Sequence, residues 1–325
     1  MKIREKHEHT KREEETTLVF HQLKIMRFKH LPYLRGFYSG SCILEFPSLK
    51  ELWIECCEKI FPTINAPTQH FFNKTVAFPS LEELYVKGMD ELNNIWHTAL
   101  QTESFSKLRV LVVESCGKLS SVGSLNLLQR LENLERLEIS KCDSLEEVVF
   151  PGLKELYLIS LFNLREIGIG SLPLHFIQIL EVQNSGNLRN LFSSSIATTL
   201  ERLEELIIES CEVMEEIVAS EGVEEVINQI VFPQLQYLVL SNLPNLTRFC
   251  NANYALNLPS LRYARLKGCM KMQAFAFGQL TMPEIEIYGN YGELPWMGDL
   301  NMYVEQKVLK GEGLAVEEEE AKDDA

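Results

Sequence analysis

Apolar side chains recur along this chain with a fixed internal spacing. Taking the first leucine-type residue of each unit as position one gives Leu23, Leu49, Leu81, Leu108, Leu134, Leu153, Ile177, Leu203, Leu235 and Leu261. The steps are 26, 32, 27, 26, 19, 24, 26, 32 and 26 residues. Within a unit the apolar residues fall at positions one, four and six, as in Leu134, Leu137 and Ile139, or Leu203, Leu206 and Ile208. Positions four and six alternate with more polar neighbours, the period-two pattern of a short strand with one buried face. Later apolar positions, such as Cys142, Leu145 and Val148, turn the chain back beneath that strand. The pattern predicts ten short strands, one per unit, lying side by side in parallel over a shared core.

A repeat of roughly 20 to 29 residues with this phrase is that of leucine-rich repeats. The expected fold is therefore a repeat α/β solenoid, a horseshoe with a parallel sheet on the concave face and loops or short helical turns on the convex face. One unit cannot bury enough apolar surface to fold alone, so stability is that of a one-dimensional array whose neighbours support each other. The solenoid is assigned to residues 18–288, including a last strand in MPEIEIYG. Residues 289–311 read as a C-terminal cap. There Leu300, Tyr303, Val304 and Val308 follow at helical spacing behind Asp299, a candidate N-cap. No equivalent cover is legible at the other end, since residues 1–17 are charged on all sides, and the chain reads as the end of something longer.

Charge narrows the possible partners. The formal net charge is -15, whereas a nucleic-acid binder needs an excess of Lys and Arg on some face. Residues 312–325 carry seven acids and one Lys, so this tail and the charged segment 1–17 are expected to be disordered. The N-terminus has no apolar core of a signal peptide, and the apolar-rich stretch Phe150 to Val182 is broken by Lys154, Glu155, Arg165 and Glu166. The expectation is a soluble, cytoplasmic chain with no membrane contact. Its eight Cys are then reduced thiols, and the sequons at Asn73 and Asn245 have no role.

The alternation of C-x-x-L with L-P-x-L at the ninth position resembles the C-terminal region of plant nucleotide-binding leucine-rich-repeat disease-resistance proteins of the coiled-coil type. The resemblance rests on ESCGKL at Glu114, SKCDSLEEVVFPGLKEL at Ser140, ESCEVMEEIVASEG at Glu209, VFPQLQYLVLSNLPNLTRFC at Val231 and the closing GDLN at Gly298. It runs from about Val19 to Leu309. The coiled-coil and nucleotide-binding domains of that family are not in this sequence, and no G-x-x-x-x-G-K-[ST] occurs, so ATP or ADP is not carried over and no cofactor is expected. What the resemblance implies is innate immunity: non-catalytic recognition of a pathogen effector or a guarded host protein, or restraint of an immune receptor's switch domain. No small-molecule substrate is expected. A substrate adaptor of a ubiquitin ligase is the alternative, but it needs an F-box-like helical segment, and residues 1–17 are too short for one.

No enzyme is read here. Glu146 with Glu147 and Glu215 with Glu216 read as solvated outer turns. His70, His97 and His175 lie on different units with no Cys or Ser phrase to make a nucleophile and base. The GIGSLP at Gly168 lacks the third glycine of a dinucleotide loop. Cys57, Cys116, Cys142, Cys211 and Cys269 take the ninth position, where other units place Met89, Leu161, Ser185 or Leu243, so they read as core filling with a weak thiol hydrogen bond to a carbonyl. No metal site is expected.

The candidate binding residues flank the buried strand positions and should face the concave side. Position five holds Arg27, Trp53, Tyr85, Val112, Glu138, Tyr157, Glu181, Ile207, Val239 and Arg265. Arg27, Trp53, Tyr85, Glu138, Tyr157, Glu181, Ile207, Glu209, Arg265 and Lys267 are the proposed protein-binding set. Trp, Tyr and Arg anchor many interfaces, while cross-strand packing on an exposed sheet accounts for the same aromatics. Charge along the face runs from Arg27 and Lys29 through Glu138, Glu181 and Glu209 to Arg262, Arg265 and Lys267. The long steps add two loops as further candidates, one with Phe71 and Phe72 and one with Glu221, Glu224 and Glu225.

Overall fold

The computed structural model describes residues 17–34, 43–60, 72, 76–96, 100, 104–122, 130–148, 152–167, 174–220, 228–250, 254–289 and 294–309. Segments 1–16 and 310–325, most of the loop with Phe71, the loop with Glu221 to Glu225, and His70 and His97 lie outside them, so expectations placed there are not addressed.

Each of the ten units contributes one strand to a single open sheet. In chain order these are β1 (Ile25–Lys29), β2 (Glu51–Glu55), β3 (Glu83–Lys87), β4 (Val110–Glu114), β5 (Arg136–Ser140) and β6 (Glu155–Ile159). They are followed by β7 (Ile179–Gln183), β8 (Glu205–Glu209), β9 (Tyr237–Ser241) and β10 (Tyr263–Lys267), with β11 (Ile285–Tyr288) pairing in parallel beyond them. A twelfth strand, β12 (Trp296–Gly298), pairs antiparallel with β11 and closes that end of the sheet.

Register follows from the leucine pattern. Positions four and six of units two to ten are buried, as in Leu52 and Ile54 or Leu206 and Ile208, and the sheet pairs like position with like. A one-residue slip would put every leucine on the solvent face, so the pattern fixes the pairing.

Two backbone devices join the units. The amides of positions two and three donate to the position-two carbonyl of the preceding unit, as Lys50 and Glu51 do to Lys24, and Arg262 and Tyr263 do to Gln236. Position eight takes a left-handed conformation in every unit: His30, Cys56, Gly88, Ser115, Lys141, Ser160, Asn184, Ser210, Asn242 and Gly268. In units one to nine its amide donates to the position-seven carbonyl of the following unit, for example Lys141 to Ile159 at 3.0 Å. Eight of those ten residues carry a side chain, so the array holds a conformation that costs an L-residue roughly 1–2 kcal/mol.

Behind the sheet the chain departs in detail from the expected loops and helical turns. Short parallel strands stack there as well: Thr17–Val19 with Ile43–Glu45 and Val76–Ala77, Phe192–Ser193 with Glu216–Ala219 and Arg248–Cys250, and Gln229–Val231 with Ala255–Asn257 and Leu280–Thr281. Neighbouring units there run in register, and extended backbone pairs its amides and carbonyls best in strands. Helix is confined to the turn Glu58–Ile60, the four residues α1 (Ser194–Ala197) and the ten-residue α2 (Leu300–Leu309) among the described residues.

The ninth position is core. Cys57, Cys116, Cys142, Cys211 and Cys269 are buried, and each thiol donates to the carbonyl two residues before it at 3.2–3.6 Å. Ser185 makes the same contact to Gln183 at 3.4 Å. Burial pushes the Cys269 thiol up to about 12 and those of Cys211 and Cys250 up to about 11. Phe72, read from sequence as a loop candidate, is instead buried against Phe78, Trp96 and Phe105, because the long loop returns one aromatic to the core.

Asp299 receives the Met302 amide at 2.9 Å as the N-cap of α2. Leu300, Tyr303 and Val304 are buried, whereas Val308, in the last turn of the helix, is half exposed. Asn301 Oδ1 accepts the amides of Phe275 and Ala276 at 3.0 and 2.9 Å, tying the helix to the last repeat.

Candidate protein-recognition face

The position-five residues form one continuous ladder across the sheet. Arg27 is opposite Trp53, Trp53 opposite Tyr85, and the series runs through Val112, Glu138, Tyr157, Glu181, Ile207 and Val239 to Arg265. Glu209 and Lys267 lie two residues along on the parallel position-seven ladder, separated by Ser241. Strand alternation puts positions three, five and seven on one face. Most of these side chains are half-buried by their neighbours, but Val112 is buried, because the larger Tyr85 and Glu138 flank it.

At the N-terminal end Trp53 and Tyr85 stack with ring centroids 3.8 Å apart. Arg27, Lys29 and Lys87 lie 5.4–5.8 Å from the Trp53 ring. Acids of the adjoining strands pair with these cations: Glu51 with Arg27 at 2.8 Å, Glu55 with Lys29 at 2.7 Å and Glu114 with Lys87 at 2.9 Å. Those hydrogen bonds hold the three carboxyls below the usual carboxylate range. The Trp53 indole also donates to Glu51, and the Tyr85 hydroxyl donates to Glu83 at 2.8 Å. Burial, with that carboxylate, pushes Tyr85 up to about 12. Cross-strand packing thus engages both aromatics, which stay only partly buried.

The middle of the face is acidic. Arg136 pairs with Glu138 at 3.0 Å and Glu155 at 3.6 Å and lies over the Tyr157 ring at 4.7 Å. Beyond it the acids lack cations: Glu181, Glu205 and Glu209 make no ion pair among the described residues. Glu181 accepts from Gln183 at 2.7 Å, and burial, followed by repulsion from Glu209, Glu138 and Glu205, raises its carboxyl above the ordinary value. The C-terminal end carries a second aromatic row, with Tyr263 stacked on Tyr288 at 5.0 Å and Tyr237 beside it at 6.1 Å. Arg265 lies 5.9 Å from the Tyr263 ring.

The predicted residues therefore share a face but not a pocket. Arg27, Trp53 and Tyr85 stand at one end, Arg265 and Lys267 at the other, with the acids between. A groove of about 490 Å³ lies off the face, lined by Asn187, Arg189, Glu215, Asn245, Arg248 and Lys271 among others, and contains none of the predicted set. Arg136, Glu155, Glu205, Tyr237 and Tyr263 belong to the face and escaped a search that took positions five and seven; the same period of two would have yielded them at position three. His175 is exposed. Among the described residues no three His, Cys, Asp or Glu side chains cluster so as to hold a metal ion, and no helix is long and apolar enough to cross a membrane.

Comparison with known proteins agrees with this architecture. "Probable disease resistance protein At4g27220" of Arabidopsis thaliana is 30% identical over 143 residues, which is 42% of this chain and only 15% of that relative's length. No solved structure gives a significant match. The family described as plant disease resistance protein RPS2-like, leucine-rich repeats, matches residues 80–173 and 152–277, more than half of the chain. With one strand per repeat and a single open parallel sheet, the chain belongs to that family of plant disease-resistance leucine-rich repeats.

Proposed function

We propose that the open face of the sheet is a non-catalytic recognition surface in plant innate immunity, working in the cytoplasm. Its partner is a protein: a pathogen effector, a guarded host protein, or the switch domain of an immune receptor. The observation that carries this reading is the unbroken position-five ladder, where aromatic and charged side chains stay partly exposed on a face that the core does not need. Half-buried aromatics lose little conformational entropy when a partner covers them, and Trp, Tyr and Arg supply much of the energy of interfaces. The charge order along the ladder, basic then acidic then basic, supports orientation of a partner more than raw affinity.

The test compares proteins captured from leaf extract by the wild-type chain and by two variants. Trp53→Ala with Tyr85→Ala, and Glu181→Lys with Glu209→Lys, each remove part of the face. Both are expected to lower specific capture at least about ten-fold, as loss of interface anchors does. Lys118→Ala with Arg165→Ala, on the exposed turns beyond the strands, leaves capture unchanged. Equal capture by all variants would refute the assignment of the open face.

A further inference from the structure

After each strand of the open sheet the chain passes through a second short alternation. Position twelve is buried in units seven to ten, at Leu188, Met214, Leu246 and Met272, so positions eleven and thirteen stand outward on the flank of the array. Backbone bonds fix this flank. The position-thirteen amides of Glu215, Thr247 and Gln273 each donate to the position-thirteen carbonyl of the preceding unit at 2.8–3.1 Å. Side chains add to it: Asn245 donates to the Glu212 carbonyl at 2.7 Å, and the Thr247 hydroxyl donates to that of Glu215 at 3.0 Å. The groove of about 490 Å³ runs over this floor from unit seven to unit ten.

Its charges differ from those of the same flank in units three to six. There the cations at positions eleven and thirteen meet acids of the preceding unit, Lys118 with Glu91 at 2.6 Å and Arg165 with Glu146 at 3.7 Å. In the groove Arg189, Arg248 and Lys271 make no ion pair among the described residues. Lys271 donates to the Asn245 side chain at 2.6 Å, Arg248 Nε donates to the Thr247 hydroxyl at 3.1 Å, and the Arg248 guanidinium lies 5.0 Å from the Phe277 ring. All these partners are neutral. The terminal nitrogens of Arg248, and every side-chain nitrogen of Arg189, make no hydrogen bond among the described residues. Glu215 is the one acid lining the groove, while Glu216, opposite Arg248 in the strand pair, lines no part of it. In a chain of net charge -15, this spot sets three cations against one acid.

We infer that this groove takes an extended acidic segment of a protein partner, held by its carboxylates and apart from the open face. A guanidinium holds a carboxylate through two parallel hydrogen bonds, and clusters of Arg recognise acidic motifs. Units seven and ten are three steps apart, roughly 14 Å at sheet spacing, which an extended chain covers in about four residues. Acids at alternate residues of the segment then meet Arg189 at one end and Arg248 with Lys271 at the other. Asn187, whose Nδ2 donates to Asn163 at 3.3 Å, offers its Oδ1 to a backbone amide between them. A floor already fixed by its own hydrogen bonds loses little freedom on binding. A lone phosphate fits worse, because it reaches only one end of the row.

The probe is a labelled peptide of alternating glutamate and serine, titrated into the full chain at low salt and followed by fluorescence anisotropy. Arg189→Gln with Arg248→Gln and Lys271→Gln is expected to weaken its binding at least about ten-fold, as loss of charge-assisted hydrogen bonds does. Glu215→Gln removes the opposing charge and is expected to tighten binding about two- to five-fold, a gain that damage to the fold would not give. Lys118→Ala with Arg165→Ala, on the same flank but outside the groove, leaves binding unchanged. No saturable binding by the wild-type chain, or equal binding of a glutamine and serine peptide, would overturn the proposal. So would loss of binding on Arg265→Ala, which assigns the peptide to the open face, or displacement by inorganic phosphate as readily as by unlabelled peptide, which assigns the groove to a small anion. Binding that appears only when Glu317 to Glu320 are changed to Gln would overturn it too, by assigning the groove to the chain's own acidic residues. The groove variants leave Trp53, Tyr85, Glu181 and Glu209 in place, so the open face and the flank groove stand or fall separately.

Discussion

Position eight shows how much a single residue decides. Gly88 is left-handed, and a Cβ there would meet Cys56 Sγ at 2.8 Å, whereas Gly117 has open space around it. Gly88→Ala is expected to destabilise the chain by roughly 1–2 kcal/mol, from left-handed strain together with the sulfur contact. Gly117→Ala should be neutral or stabilise by up to about 1 kcal/mol, through loss of freedom in the unfolded chain. Urea denaturation of the two variants separates these outcomes.

Glu181 gives a second residue-scale test. Its folded carboxyl is raised by burial and by neighbouring acids, so its charged form strains the fold. The stability linked to protonated Glu181 is present at low pH and is lost as pH rises through the raised value. Glu181→Gln should therefore raise the melting temperature at pH 7, and the gain should fade as pH falls through the raised value and be gone by about 4, where an ordinary Glu is protonated. Glu51, Glu55 and Glu114 have the opposite sign: their pairs stabilise at neutral pH and weaken as pH falls through the lowered carboxyl range.

Elements follow from the same phrase with uneven legibility. Strands β1 to β10 were readable because Leu, Ile and Val alternate with polar residues over five positions, and a period of two has only one way to bury its apolar side. The left-handed residue after each strand was not readable, since His, Cys, Ser, Lys and Asn fill eight of the ten places where Gly would have signalled it. The short strands behind the sheet escaped for another reason: two or three extended residues carry no detectable period, and they pair only because the turns stack. At the C-terminus, Asp299 signalled its helix through cap chemistry. Asn301 gave no such signal, because its partners belong to a different repeat. Asp299→Ala is expected to cost about 1 kcal/mol, and faster amide exchange of Met302 and its neighbours would locate that loss in α2.

At the scale of the whole molecule, the array converts a sequence step into a spatial step. Candidate site residues from Arg27 to Arg265 were legible as one face for that reason. The pairing of cations and acids on its N-terminal half was not, because Arg27 and Glu51 are 24 residues apart and meet only when the units stack. The same geometry explains why the acids at Glu181, Glu205 and Glu209 gather: they come from two adjacent strands, β7 and β8. A surface built this way sets one side chain from each unit in a single row, which a collection of unrelated loops could not offer.

Distance against repeat number is the direct measure of that claim. Spin labels on Glu138→Cys paired with Ile207→Cys, and on Tyr85→Cys paired with Arg265→Cys, each in a Cys42→Ser, Cys56→Ser background, span three and seven rungs of the ladder. At about 4.8 Å per strand the backbone separations are roughly 14 Å and up to about 34 Å along the sheet. Pulsed electron resonance should return the longer distance for the longer ladder, reduced only by curvature. A separation that fails to grow from the first pair to the second would contradict an open array of stacked repeats.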